Sequence, residues 1–247
     1  METKPQVTAP EPEVAEIGGP SRPLRRDAER NRRLILGAAK SVFARRGLEA
    51  SLDEVAKEAG LGVGTVYRRF PNRDALIDAL FDDMVASIKL IAEHASAEPR
   101  AWDGLVYFMT AMLETQGHDK GLRDVMIARE QDLITCGPEK GSTVREMVQP
   151  MLYDLVHRAQ REGDLRPDVA PTDIGVLLIA SVGVVEFTAP LSSTAWRRHL
   201  AVVLDGLRSR PDGASAPLVE PALDDDEMDA CMAGWKYGTQ QADRRRA

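Results

Sequence analysis

The twenty residues from Ser51 to Phe70, SLDEVAKEAGLGVGTVYRRF, constrain the fold more than any other stretch, because they spell out two short helices and the turn between them. Ser51 followed three positions later by Glu54 is a capping-box pattern. The hydroxyl and the carboxylate each satisfy a backbone N–H that the first helical turn leaves without a partner. Leu52, Val55, Ala56 and Ala59 then share one apolar face. Gly60 can take the left-handed conformation that ends a helix, and Leu61 plugs the gap before a second helix over roughly Val63 to Phe70. Pro71 and Asn72 end that helix and cap the next.

The flanking sequence continues the helical period. Leu34, Ile35, Ala38, Ala39, Val42 and Phe43 form a stripe in a helix predicted over Asp27 to Arg46, stopped by Gly47. Leu76, Ile77, Leu80, Phe81, Met84, Val85 and Ile88 extend a long helix from Arg73 to about His94. Further helices are predicted at Trp102 to Thr115, Gly121 to about Ile134, Ser142 to Glu162, Thr172 to Thr188 and Ala195 to Ser209. No stretch of comparable length alternates with period two, so the fold class is all-α. The expected architecture is an N-terminal three-helix helix-turn-helix module followed by a C-terminal helical bundle of about five to six helices. The expected divisions are a disordered leader over 1–23, the helix-turn-helix domain over 24–73, a second helical domain over 74–210, and a disordered acidic tail over 211–247.

Charge divides along the same lines. The net charge of −7 hides a basic segment: residues 21–73 hold 13 Lys/Arg against 6 Asp/Glu, or +7, whereas 1–20 carry −3 and 74–247 carry −11. A basic head on an acidic body suits a chain that presents one end to phosphate. Cys136 and Cys231 match no metal or redox spacing, which fits a reducing compartment. No apolar run is expected to approach the roughly 18 residues that span a bilayer. The N-terminus also lacks the apolar stretch of a secretion signal, so the expectation is a cytoplasmic protein with no membrane partner. His94, His118, His157 and His199 are scattered without a second ligand at useful spacing, and no Ser or Cys sits in a nucleophile motif. Neither an enzyme nor a metal or other cofactor is expected. The glycines at 60, 62 and 64 follow a helix rather than a strand and lack the spacing of a phosphate loop.

A recognition helix enters the major groove N-terminus first, so small residues there let the backbone approach while flanking side chains hold phosphates. Gly62, Val63, Gly64 and Thr65 have that character. Thr65 can meet a base edge or a phosphate, and Val63 a thymine methyl. Tyr67, Arg68 and Arg69 add a phenol and two guanidinium forks, and Arg73 opens the next helix beside them. Each fork can read guanine or clamp phosphate. Each of these residues also has a plain structural reading: Tyr67 at the rim of the core, the arginines as a solvated pair, Ser51 as a cap alone.

Taken together, AKEAGLGVGTVYRRFPNRDALIDAL resembles the helix-turn-helix and linker-helix signature of the TetR family of transcriptional regulators, over about Arg30 to Phe81. The resemblance implies a DNA-binding head, a linker helix, and a helical body that dimerises and binds a small effector. It implies that Ser51, Val63, Gly64, Thr65, Tyr67, Arg68, Arg69 and Arg73 lie at the DNA surface, with Tyr67 and Arg73 at phosphates. Family members frequently carry His at position 69 and Lys at position 73, so Arg at both is a mild departure that bears on base preference. The expected partners are double-stranded DNA with a palindromic operator, a second copy of the chain, and an unidentified small-molecule effector. IGVLLIASVGVVEF, from Ile174 to Phe187, is apolar nearly all round and can meet the core on one side and a second chain on the other. Gly175, Ala180, Ser181 and Gly183 allow close approach there. With the helix bearing Trp196, Leu200, Val203, Leu204 and Leu207 it can build half of a symmetric four-helix interface through 172–188 and 195–209. Met84, Ile88, Trp102, Met109, Met112, Met126 and Met151 can line an effector cavity or simply fill a core, and Arg129 and Glu130 can serve it or pair at its rim. The function this suggests is a DNA-binding repressor released by its effector. The alternative is an activator or a recruiter that uses its tails, with Asp224 to Asp229 as the contact.

Overall fold

The computed structural model describes residues 22–117, 143–210 and 216–231. Among these described residues eight longer helices follow one another: α1 (Arg22–Arg46), α2 (Leu52–Ala59), α3 (Val63–Arg69), α4 (Arg73–Ala97), α5 (Ala101–Gly117), α6 (Thr143–Arg161), α7 (Pro171–Thr188) and α8 (Trp196–Leu207). A short helix, α9, covers 225–231. Among the described residues the only β feature is an isolated bridge between Leu165 and Arg208, so the chain is all-α as its periodicity predicts. The helix predicted at Gly121 to Ile134 lies outside the described residues.

Two apolar cores account for the packing. The first gathers Ile35, Ala39, Val42 and Phe43 of α1, Leu52, Val55 and Ala56 of α2, Val66 of α3, and Leu76, Ile77 and Leu80 of α4. The second holds Met84, Val85, Ile88, Ala92 and Ala95 of α4 together with α5 to α8. Phe81 packs against both. The first two turns of α4 therefore belong to the helix-turn-helix packing, beyond the expected division at residue 73. Lys40 of α1 also pairs with Asp83 of α4 at 3.0 Å, just past that junction.

Gly104 sets the approach of α5 to the end of α4. A Cβ there would stand 2.9 Å from Leu155 Cδ1 of α6, 3.2 Å from the Ala95 carbonyl carbon, and closer still to the Ala95 carbonyl oxygen. Arg158 of α6 caps α4 by donating to the carbonyls of Ser96 and Glu98 at 3.0 and 3.1 Å, and Glu162 accepts the Ala101 N–H at 2.8 Å. These bonds satisfy helix-end groups that would otherwise be orphaned in a part-buried corner. Asp164 joins Arg100 at 2.9 Å and Arg208 at 3.0 Å, while the Arg208 guanidinium lies 4.2 Å from the centroid of the Trp102 ring. Pro150 sits inside α6, where its missing N–H removes one rung of the helical ladder.

Three expectations need correction. Helix α1 starts at Arg22 rather than Asp27, so the last two positions of the expected leader are helical, while residues 1–21 lie outside the described residues. The acidic tail predicted as disordered is in part a strap. Arg166 donates to the Ala216 carbonyl at 2.7 Å, Leu218 N–H to Asp168 at 3.0 Å, and Thr172 to the Leu223 carbonyl at 2.8 Å. Tyr153 bonds Asp225, Asp224 and Glu227 form a second capping box, and the Met228 methyl lies 3.1 Å from where a Cβ of Gly175 would be. Low hydrophobicity argued for disorder, but backbone bonds to fixed side chains order this segment instead.

Helix α7 is the third correction. Its 18 residues have a mean hydropathy of 1.5, enough by length and composition to cross a membrane, because its two charges, Asp173 and Glu186, lie near its ends. Buried core helices reach the same hydropathy. Ile174, Leu178, Ser181, Val182 and Val185 of α7 face the second core.

Candidate nucleic-acid interface

The turn between α2 and α3 forms as its residue types require. Ser51 caps α2: its hydroxyl accepts the Glu54 N–H at 3.3 Å and its own N–H donates to the Glu54 carboxylate at 2.9 Å. That backbone N–H, aided by the Arg46 guanidinium against a small desolvation penalty, holds the Glu54 carboxyl below its usual range. Gly60 ends α2 at φ 65°, ψ 29°, and the Leu61 N–H reaches back to the Ala56 carbonyl at 3.0 Å. A β-carbon would strain this left-handed turn. Leu61 packs partly buried on the first core, as its role as a plug requires.

Helix α3 is then anchored by Val66, with no exposed surface, and by Phe70 immediately after it. With those two turned inward, the 3.6-residue period turns Val63, Gly64, Tyr67, Arg68 and Arg69 outward. Val63 is 45% and Tyr67 44% exposed, so both stand on this outward face. Thr65 is half-buried. Nothing lies within 4 Å of a Cβ built on Gly64, so the backbone there is open to close approach.

The cations around the turn differ in what they meet. Lys40, Arg45, Arg46 and Arg73 pair with Asp83, Glu58, Glu54 and Glu49 respectively. Arg68 and Arg69 engage no carboxylate among the described residues. All eight predicted surface residues thus belong to one helix-turn-helix unit, but they differ in availability. The Ser51 hydroxyl is already committed to its cap, and Arg73 to Glu49. That last pairing was not visible in the sequence, since 24 positions, and with them the whole of α2 and α3, separate the two residues. An exposed helix face with small residues at its start and free guanidinium groups at its end has the shape and charge to enter a major groove.

The body shows which of the other predicted residues come together. Met84, Ile88, Trp102, Met109 and Met112 are buried in the second core, Met151 packs partly buried against it, and Met126, Arg129 and Glu130 lie outside the described residues. On α8, Trp196, Leu200 and Leu207 belong to the chain's own core, and Val203 and Leu204 pack partly against it. Trp196, Leu200 and Leu207 are thus taken up by the chain's own body, because a helix with one apolar face turns it to its own core first. What remains outside is Val176, Ala180, Gly183 and Phe187 on α7 and Val202 on α8. Gly175 faces the strap and Ser181 is buried, its hydroxyl bonded to the Leu177 carbonyl at 2.6 Å.

A three-helix head with this exposed face, joined to a helical body through a shared long helix, defines a helix-turn-helix DNA-binding regulator. The chain belongs to the TetR family of transcriptional regulators. Residues 35–80 match the family described as bacterial regulatory proteins, tetR family, and residues 98–209 match the SbtR-like transcriptional regulator C-terminal domain. The crystal structure of a TetR transcription regulatory protein from Mycobacterium vanbaalenii is similar at 34% identity, covering 75% of this chain and 99% of that one, with a TM-score of 0.55. A TetR transcriptional regulator from Streptomyces coelicolor is similar at 31% identity, covering 72% and 98%, with a TM-score of 0.54. An HTH-type transcriptional regulator of Staphylococcus aureus (strain USA300) is 41% identical over 54 residues, which are 22% of this chain and 29% of the relative. The chain thus spans less than a third of the length of the curated relatives it matches.

Proposed function

We propose that the chain is a repressor that binds a near-palindromic operator as a homodimer and leaves it when a small-molecule effector binds the body. The observation that carries the reading is the outward face of α3, where Val63, Gly64, Tyr67, Arg68 and Arg69 are exposed and have no structural employment among the described residues. In this reading Gly64 lets the backbone approach the duplex, Val63 meets a thymine methyl, and Thr65 and Arg68 reach base edges. Tyr67, Arg69, Arg73 and the Ser51 end of α2 hold phosphates. Arg73 exchanges Glu49 for phosphate as it binds.

Dimerisation is supported by the uncovered apolar residues of α7. Val176, Ala180, Gly183 and Phe187 recur at spacings of four, three and four, a stripe along one helix face, and Phe187 is 85% exposed. Val202 of α8 adds to it. Two heads held about 34–36 Å apart read two half-sites on one face of the duplex. The effector site belongs between α4, α5 and α6, whose packed faces meet in the second core. Ligand control then acts through α4, with a coupling of about 1–3 kcal/mol, or roughly 5–150-fold in operator affinity. Against the recruiter alternative stands the strap: Asp224 and Asp225 of the acidic cluster are bonded within the chain.

Selecting bound sequences from random duplexes with the purified protein should return an inverted repeat, and sedimentation should give a dimer. A metabolite screen should then find a compound that releases the operator. A monomer that binds single half-sites, or an operator affinity unchanged by every compound shown to bind, would refute the corresponding part.

A further inference from the structure

Helix α1 is longer than its packing requires. Its first buried residue is Ile35; from Arg26 to Leu34 no residue is buried, and Leu34 is 41% exposed. The nine residues from Arg26 to Leu34 therefore extend past the packed half of the helix as an arm of roughly 13 Å at 1.5 Å per residue. Between Arg22 and Arg33 stand six arginines against Asp27 and Glu29. Arg26, Arg30 and Arg33 are all exposed and, at i, i+4 and i+7, share one face. Like charges at these spacings repel, and a helical segment without tertiary packing is marginal, so this face gains nothing from the fold that carries it.

Two further observations identify its partner. The arginines at the other end of α1 are neutralised, Arg45 by Glu58 and Arg46 by Glu54, whereas Arg26, Arg30, Arg32 and Arg33 form no ion pair among the described residues. The body carries −11 over 74–247, yet none of its described carboxylates takes up the exposed arginines of the arm. Within the head, Arg68 and Arg69 of the recognition helix are likewise unpaired among the described residues. We propose that the first half of α1 is a second DNA-contacting element, in which Arg26, Arg30 and Arg33 clamp phosphates flanking the half-site engaged by α3. The inference rests on the DNA-binding reading of α3. The arm adds affinity and lengthens the footprint without reading sequence, because phosphate contacts carry none.

The test uses the full-length protein, its R26A/R30A/R33A variant, and the operator recovered by selection. One duplex ends at the outer edges of the half-sites; the other extends about one helical turn (~10 bp) further on each side. On the long duplex the variant should bind more weakly and show a shallower dependence of log affinity on log salt, by about 0.9 per lost phosphate contact and up to about 5 for two arms. On the short duplex the two proteins should bind alike. The R26K/R30K/R33K variant should restore most of the long-duplex affinity, since a point charge suffices for phosphate. Unchanged melting confirms the fold, as none of the three residues touches the core. An unaltered salt slope on the long duplex, or an equal loss on both duplexes, overturns the assignment. If base discrimination is lost in α3 variants while the triple variant behaves as wild type, the recognition-helix reading stands and the arm falls. If wild type binds no duplex, both fall.

Discussion

Replacing Gly104 by Ala tests the close contact on which the attachment of α4 to the body depends. An ideal Cβ would lie 2.9 Å from Leu155 Cδ1 and 3.2 Å from the Ala95 carbonyl carbon, with the Ala95 oxygen nearer still. Carbon pairs are comfortable at about 3.5–4.0 Å, so the two carbons must yield by roughly 0.3–1.1 Å and the Ala95 oxygen by more. Leu155 can rotate; the Ala95 backbone cannot, because it closes the last turn of α4, where its carbonyl accepts the Glu98 N–H. Overpacking of this kind costs about 1–3 kcal/mol, and a backbone clash belongs at the upper end. Alanine recovers about 1 kcal/mol through helix propensity. The net loss should be about 2 kcal/mol, a fall in Tm of about 4–8 °C for a chain of this size. Gly37 supplies the control: it is exposed in the middle of α1, and a Cβ there would meet nothing within 4 Å. Gly37→Ala should raise stability by about 0.5–1 kcal/mol. Urea and thermal melts of the two variants should move in opposite directions. A Gly104→Ala protein as stable as wild type would refute the inferred contact between α4 and α5.

Four further outcomes are expected. Arg73→Ala should weaken specific and random duplexes alike and lower the salt slope by about 1, whereas Arg68→Ala should lose about 1–3 kcal/mol at one base pair; competition binding separates the two. Ser51→Ala removes one arm of the capping box and should cost about 1 kcal/mol in a urea melt. Glu49→Gln frees Arg73 from its surface ion pair, typically worth up to about 1 kcal/mol, and should raise affinity for any duplex by up to about 5-fold at low salt, an effect that fades as salt rises. Asp168, whose carboxyl is held well below the usual carboxylate range by Arg166 first and the Leu218 N–H second, should anchor the strap at neutral pH. With its folded-state pKa depressed, that contribution is complete above the unfolded value near 3.9 and lost as pH falls through the folded one. Asp168→Asn should therefore speed hydrogen exchange over 216–231 at pH 7, and the wild-type strap should loosen only in strong acid.

The helix-turn-helix was legible because its determinants are local. A capping box spans four residues and the left-handed turn needs one glycine, whereas the inward pair Val66 and Phe70 came to light in the fold. The body was legible only as a set of helices. Periodicity says that Trp196, Leu200 and Leu207 share a face; it does not say whether that face meets the chain's own core or a second chain, and the fold assigns it to the core. The strap escaped for a related reason. Its anchors, Arg166, Asp168, Thr172 and Tyr153, lie between 50 and 72 positions from their partners. Nothing in the composition of the acidic stretch announces backbone acceptors for a distant Thr or Arg. The pairing of Arg73 with Glu49 was hidden in the same way, although both residues flank the motif that was read correctly.

Helix α4 ties these parts into one mechanical problem. Its 25 residues run roughly 37 Å, from Arg73 beside α3 to the Ala95 carbonyl under Gly104. Leu76, Ile77 and Leu80 are fixed in the first core and Met84, Val85 and Ile88 in the second, with Phe81 touching both. A helix packed at close to crystal density on two sides has few intermediate positions, so a displacement near α5 and α6 is passed along its length or resisted. Burial also limits how far it can bend at the junction, where the pair of Lys40 and Asp83 spans the seam. A ligand that prefers one placement of α4 by about 1.4 kcal/mol shifts the balance between placements tenfold, and by linkage DNA held at Arg73 shifts ligand affinity by the same factor. Shortening Phe81 to Ala should loosen the joint between the cores. If α4 carries the signal, Phe81→Ala lowers that reciprocal factor while leaving both binding sites intact; an unchanged factor would mean the heads are controlled by another route.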